Sequence, residues 1–487
     1  MVSFIPRSAF LCLVTVAGAF YALAANAEED LHCPVGLPEE PALRVHLEQE
    51  DIVAGEYDLE ALLAHGSRVF EARFNACDGQ GRPATTGTGQ PRVPNQPTFI
   101  RTSGPDANSC SGCHNMPRVG GAGDIVVNAF VLAQAYDPVL HSVDAMHSNE
   151  RNTLGMFGSG AIEMLTREMT DALHAQVEGL PDGAHVLTAK GIEFPVTISN
   201  GRVVDSVGVD VDLIIKPFHQ SGVVRSLREF TVNAFNHHHG IQAEERFDLA
   251  LVTGYNPDWD GDGVERELTV GDVTAVTLYQ AALGVPGRVL PKDPAKLARV
   301  EAGEQRFADI GCTACHIPEM QLSSRHFEEP YARNLRGTFS DTTQTVSFDM
   351  TLEGEGPYLE LAPGGGAILR AYTDLKWHNL CDPEDHSDPI RTYCNEHLLQ
   401  GRPVTQEGRP GTEVFLTRKL WDVGNSDPYG HRGELTTLTE AILAHGGAAR
   451  ASRDAFAGLQ MADQADLIRF LRTLQVLPEG SDLVIYE

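Results

Sequence analysis

Positive charge is scarce in this chain. Lysine and arginine number 37 against 67 aspartates and glutamates, a formal net charge of -30 over 487 residues. A surface of that sign argues against nucleic acid as a partner and favours docking, if any, to a basic protein, although solubility accounts for it equally well. Long apolar runs are also wanting: beyond the N-terminus no stretch approaches the roughly 20 residues a membrane span needs. The first 27 residues differ. Arg7 supplies a positive charge, Ala9 to Leu23 is mainly apolar, and Ala25-Asn26-Ala27 fits the small-x-small cleavage rule of a secretory leader. The mature chain is expected to begin near Glu28, an uncleaved anchor being the alternative. Roughly 460 residues then remain, too many for one ordinary core.

Cysteine is sparse as well, and most of what is present is organised. Of nine cysteines, Cys12 falls in the leader and four belong to one pentapeptide that occurs twice, Cys110-Ser-Gly-Cys113-His114 and Cys312-Thr-Ala-Cys315-His316. Two cysteines three positions apart can form thioethers to the vinyl groups of one haem, and the histidine that follows can reach the iron. The motifs therefore predict two covalently bound haem c groups, with His114 and His316 as proximal iron ligands. A thiol redox pair would not require the histidine. Covalent attachment implies export before assembly, hence a periplasmic location. Cys33, Cys77, Cys381 and Cys394 remain, an even number that fits two disulfides in an oxidising compartment or else four buried thiols.

Helical spacing of leucines and phenylalanines covers 41–75, 156–173 and 268–284, and returns at 436–445 and 463–474. Phe194 to Ile198 and Val207 to Ile215 alternate instead, with Asn200-Gly201 between them, and predict a β-hairpin. Gly66 and Phe70 precede the first motif, and Gly303 and Phe307 the second, as at the start of a cytochrome c domain. Between Phe70 and Cys110 lies a Gly-, Pro- and Thr-rich loop. The fold expected is mainly α: two cytochrome c-like haem domains, 28–300 and 301–487, with long loops and a small β-hairpin insertion.

Asp258, Asp260 and Asp262, followed by Gly263, place carboxylates at every second position before a turn, a pattern that can wrap Ca²⁺ in oxygen ligands or form a solvated acidic turn. Haem chemistry divides on the sixth iron position, and His237, His238, His239, His378 and His431 are candidates for it or for a distal acid or base. Met116 and Met320 lie too near their own proximal histidines to cross the ring and are expected to pack on the porphyrin edge. His445 fits ordinary helix capping.

The chain resembles the bacterial di-haem oxidoreductase family with peroxidase and thiol oxidoreductase members, distant relatives of the di-haem cytochrome c peroxidases. Besides the haem motifs, the resemblance runs through Phe70-Glu-Ala-Arg-Phe74, Met156-Phe-Gly-Ser-Gly160, Asp262 to Asp272 and Thr373-Asp-Leu-Lys-Trp-His378. It continues in Leu420-Trp-Asp-Val-Gly424, Tyr429-Gly-His-Arg-Gly433 and Ala441 to Gly447. It implies a pair of helical haem domains, an interdomain Ca²⁺ and a haem-pocket role for His431. His378 is followed by Asn379-Leu-Cys381 where relatives often continue with an acidic residue. The expected function is a periplasmic di-haem oxidoreductase moving electrons between a small cytochrome or copper protein and peroxide or another small substrate. A non-enzymatic di-haem electron carrier, or the haem subunit of a larger complex, is the alternative.

Overall fold

The computed structural model describes residues 33, 38–80, 107–123, 127–129, 149–219, 222–247, 258, 263–335, 337–382, 414–430 and 432–487. The expected leader, His431, Asp260 and Asp262 lie outside the described residues. No helix among those described is long and apolar enough to cross a membrane.

The described α-helices, in chain order, are α1 (Gln49–Ala54), α2 (Leu59–Glu71), α3 (Ser159–Val177), α4 (Leu227–Ala234), α5 (Glu244–Phe247), α6 (Val270–Ala282), α7 (Pro294–Asp309), α8 (Leu438–Leu443), α9 (Arg450–Gly458) and α10 (Met461–Leu471). The first predicted helix is two, broken at Gly55, whose φ of 79° stops α1. The Asp58 carboxylate then caps α2 by accepting the Ala61 N–H. Short strands are more numerous among the described residues than the sequence reading anticipated.

Two helix crossings carry the architecture. α2 buries Leu62, His65, Gly66, Val69 and Phe70 on one face, the 3.6-residue stripe of an amphipathic helix, and lays it on α6. α6 is buried nearly all round. In the second half α7, begun by the Asp293 cap with Pro294 at its first position, buries Val300, Gly303 and Phe307 against α10. At each crossing a glycine lets the backbones meet. A Cβ on Gly66 would stand 2.2 Å from the Ala275 carbonyl oxygen, and one on Gly303 would stand 1.9 Å from that of Asp466.

The β insertion departs from expectation. It is a three-stranded antiparallel sheet of β1 (Gly183–Ala189), β2 (Ile192–Ser199) and β3 (Arg202–Ser206). The Asn200-Gly201 turn is as predicted, both residues having positive φ, but its outgoing strand ends at Ser206, so Val207 to Ile215 is not a strand. β1 was missed because its period-2 signal is weak: its inner face carries the polar His185 and the small Ala189 beside Leu187, while the apolar Val186 is exposed. The halves share a core: Leu165 and Leu278 belong to the same buried cluster as Leu322, Phe327 and Trp377.

Two buried polar clusters tie this frame together. Arg228, fully buried on α4, donates to Glu245 of α5, Glu329, Thr274 and the Val270 carbonyl. Behind the α2–α6 crossing, Asp272 accepts from Leu47 N and holds His46 Nδ1 at 2.6 Å and His65 Nε2 at 2.7 Å. Burial alone would raise the Asp272 carboxyl, but the His46 and His65 hydrogen bonds outweigh it and bring the pKa to about 2. The same bond to Asp272 raises His46 above its ordinary value, against the effect of burial. Cys33 and Cys77 form a disulfide. Cys381 is also disulfide-bonded, and Cys394 lies outside the described residues.

Two stability tests follow. Gly303→Ala should lower stability by about 1–3 kcal/mol through overpacking at the crossing, seen as a lower urea midpoint; an unchanged midpoint would contradict the close approach. Asp272 stabilises fully above its unfolded pKa of 3.8 and loses that contribution as pH falls towards about 2. His46 adds stability below its unfolded value of 6.5 that is lost as pH rises through its higher folded pKa. Asp272→Asn should therefore cost about 2 kcal/mol near pH 5.5 and progressively less towards pH 2, whereas a difference independent of pH would refute this account.

Candidate functional site

Each Cys-x-x-Cys-His motif begins as a single 3-10 turn, Cys110–Gly112 packed against α2 and Cys312–Ala314 directly following α7. The two settings repeat closely. The Phe70 ring lies 6.3 Å from that of His114 at 49°, and the Phe307 ring 6.2 Å from that of His316 at 48°. Tyr279 backs Phe70 and Phe470 backs Phe307, both at 5.5 Å.

Each histidine is tethered through Nδ1 to a backbone carbonyl, His114 to Gly121 at 3.3 Å and His316 to Tyr372 at 3.0 Å. That bond places the proton on Nδ1 and leaves the Nε2 lone pair for a metal. Burial lowers both imidazoles to a pKa of about 4, partly offset by these carbonyls, so both are neutral at physiological pH. The four motif cysteines are free of disulfides. Burial pushes the Cys110 thiol up to about 12 and the Cys312 thiol up to about 11, which does not suit a thiol redox pair working as thiolate.

Both motifs open into one cavity of about 1040 Å³, lined by the cysteines and histidines of each and by Glu229, His238, His239, His378 and His445. The residues fit two haems: unoxidised thiol pairs, a neutral imidazole beside each pair, and a predominantly apolar space between. Such groups would sit on His114 with Cys110 and Cys113, and on His316 with Cys312 and Cys315.

The remaining predicted residues are placed as follows. α4 continues into a π-helical turn, Phe235–His239, which brings His239 to the first motif. Its Nδ1 donates to the Ala107 carbonyl at 2.7 Å and its Nε2 lies 3.4 Å from Cys110 Sγ. His238 also lines the cavity and influences the charge of His114, while the side chain of His237 lies outside those described. On the strand Trp377–Asn379, His378 Nε2 meets Asp374 Oδ2 at 2.8 Å beside Cys315. Burial would lower its pKa, but Asp374 and the Cys315 thiol raise it to about 9; a thioether at Cys315 would remove the thiol's share. Met116 is exposed and Met320 is buried in the core, and neither lines the cavity, so they do not pack on a porphyrin edge. The Asp258 carboxylate accepts the Gly263 N–H at 3.0 Å. The rest of that candidate calcium loop, like His431, is not described.

Glu229 and His445 were not singled out for this site by sequence reading. Glu229 follows Ser226 at capping spacing, and Ser226 does cap α4 by accepting its N–H at 3.1 Å. Its role as a cap residue hid the carboxylate that lines the cavity. His445 stands past the end of α8 and looked like ordinary capping. In the loaded protein, His114→Ala and His316→Ala should each alter the optical spectrum of a different one of the two haems; unchanged spectra in both would exclude these imidazoles as ligands.

Residues 387–474 match the model of a family described as "Di-haem oxidoreductase, putative peroxidase". No curated protein sequence matches the chain. Among solved structures, hydrazine synthase of Kuenenia stuttgartiensis is similar at 13% identity and a TM-score of 0.36, covering 91% of this chain and 98% of that one. A variant of the diheme peroxidase BthA from Burkholderia thailandensis is similar at 15% identity and a TM-score of 0.33, covering 90% and 91%. A MauG-like protein associated with microbial copper homeostasis shows 12% identity and a TM-score of 0.25, covering 65% and 88%. Through residues 387–474, a segment that contains His445, this chain is similar to the di-haem oxidoreductases.

Proposed function

We propose that this chain is an exported periplasmic oxidoreductase of the peroxidase kind, with haem attached covalently through Cys110 and Cys113 and through Cys312 and Cys315. The observation that carries this reading is that both motifs open into one cavity whose wall also holds a buried carboxylic acid, Glu229. Haem bound there supplies an iron to receive a peroxide and a route for electrons. Reduction of one hydrogen peroxide to two waters consumes two electrons, drawn from a small cytochrome or copper protein, and two protons. The chain's own contribution is to exclude water and to move a proton.

Glu229 suits that task. It is 4% exposed, its backbone is fixed by the Ser226 cap, and its Oε2 accepts no hydrogen bond while facing Arg225 Nε at 3.3 Å. Burial raises its pKa, with Arg225 opposing, towards the range in which a carboxyl both accepts and returns a proton. Oε2 would take a proton from one peroxide oxygen and deliver it to the other as the O–O bond breaks. His378, held by Asp374, and His431 belong to the same reading as pocket residues. A Ca²⁺ at Asp258, Asp260 and Asp262 is part of it too. The net charge of -30 favours a basic electron donor.

Glu229→Gln should retain both haems and their resting spectra yet lower peroxide-dependent oxidation of a reduced donor cytochrome by about 10²- to 10⁴-fold. An unchanged rate would remove Glu229 from the proton path. If neither haem of the wild type responded spectrally to peroxide, the chain would be an electron-transfer protein instead.

A further inference from the structure

We propose that His445 is the second axial ligand of the iron held by His316, making the haem of the second motif a bis-histidine centre closed to outside ligands. This rests on the reading that haem occupies that motif. The His316 and His445 ring centroids lie 6.5 Å apart in an edge-on arrangement, with their planes at 62°. Two imidazoles bound to opposite faces of one metal, each by a bond of about 2.0 Å with its ring centre about 1.1 Å further on, stand roughly 6.3 Å apart. The spacing is thus that of a pair with one metal ion between them, and both rings line the cavity.

Their hydrogen bonds agree. His445 Nδ1 donates to the Ala441 carbonyl at 2.7 Å, as His316 Nδ1 does to Tyr372. Each ring therefore keeps its Nε2 lone pair for a metal. The segment that carries His445 is also held in place. Gly446 N donates to the Leu380 carbonyl at 3.0 Å and Gly447 N to Asp382 Oδ1 at 2.8 Å. A Cβ on Gly447 would lie 2.3 Å from the Asn379 carbonyl oxygen, so the chain passes against the strand bearing His378 with no side chain between. The nearby alternative, His378, has its Nε2 engaged by Asp374.

The assignment divides the labour between the two sites. A six-coordinate centre at the second motif passes electrons, and the substrate site falls to the first motif. The helix that carries Glu229 runs on to His239 and Cys110 there.

The test uses the full haem-loaded protein, oxidised and without peroxide. Near-infrared magnetic circular dichroism of the wild type should show bis-imidazole ligation at one haem. His445→Ala should abolish that band and turn one haem high-spin, with added imidazole restoring it. His445→Met, which keeps a ligating side chain, should replace it with the band of histidine–methionine ligation, and it serves if the alanine variant fails to mature. A bis-imidazole band unchanged in either variant, with both haems retained, overturns the proposal. A chain lacking haem at Cys312 and Cys315 overturns it together with the proposed function, whereas a haem-loaded chain inert to peroxide overturns only the proposed function.

Discussion

At two places in this molecule a helix passes another with no room for a methyl group between them. The constraint at Gly66 and Gly303 brings α2 onto α6 and α7 onto α10, and one turn further along each first helix stands the phenylalanine that meets a motif histidine. In the second half the crossing thus sets the angle at which the chain leaves α7, and with it the place where the motif begins at Cys312; in the first half the motif turn packs back against α2. Backbone carbonyls of Gly121 and Tyr372, supplied from loops outside the motifs, complete the orientation of the imidazoles. Packing chooses the position and hydrogen bonding chooses the tautomer. Neither alone would present a neutral Nε2 to the cavity.

Much of this was legible in the chain. The two pentapeptides were legible as paired sites because two cysteines and an adjacent imidazole are a local arrangement, met within five residues. Gly66-to-Phe70 and Gly303-to-Phe307 spacing announced the repeated crossing for the same reason, and Asn200-Gly201 announced its turn. What could not be read was anything assembled from distant segments. The Asp272 cluster draws on residues more than 200 positions apart, and Arg228 meets Glu329 a hundred positions away. The partners of such groups are decided by topology, which leaves no periodic trace.

The cavity's own polar groups illustrate the point more sharply. Ser226 with Glu229 is a capping pattern in any protein, and here it caps, yet the carboxylate beyond the cap lines the cavity. His445 follows a short helix and makes the backbone hydrogen bond a capping histidine would make; its opposite number, His316, is 129 positions earlier and visible only in three dimensions. Local pattern and site role coincide in one residue, and sequence displays only the first. Met116 and Met320 failed the other way: nearness in sequence to His114 and His316 suggested a shared pocket, but the chain turns away after each motif.

The buried Arg228 has one further consequence. Its guanidinium is satisfied jointly by α5, α6 and Glu329 of the second half, and an unpaired charge in that interior is far costlier than any surface ion pair. The two halves are therefore bolted together rather than hinged. Swinging one against the other would pull Glu329 away from Arg228, so the separation between the two Cys-x-x-Cys-His motifs is settled once, at folding. Any change of shape at the cavity then has to come from small movements inside that frame, such as a proton shifting or a side chain turning.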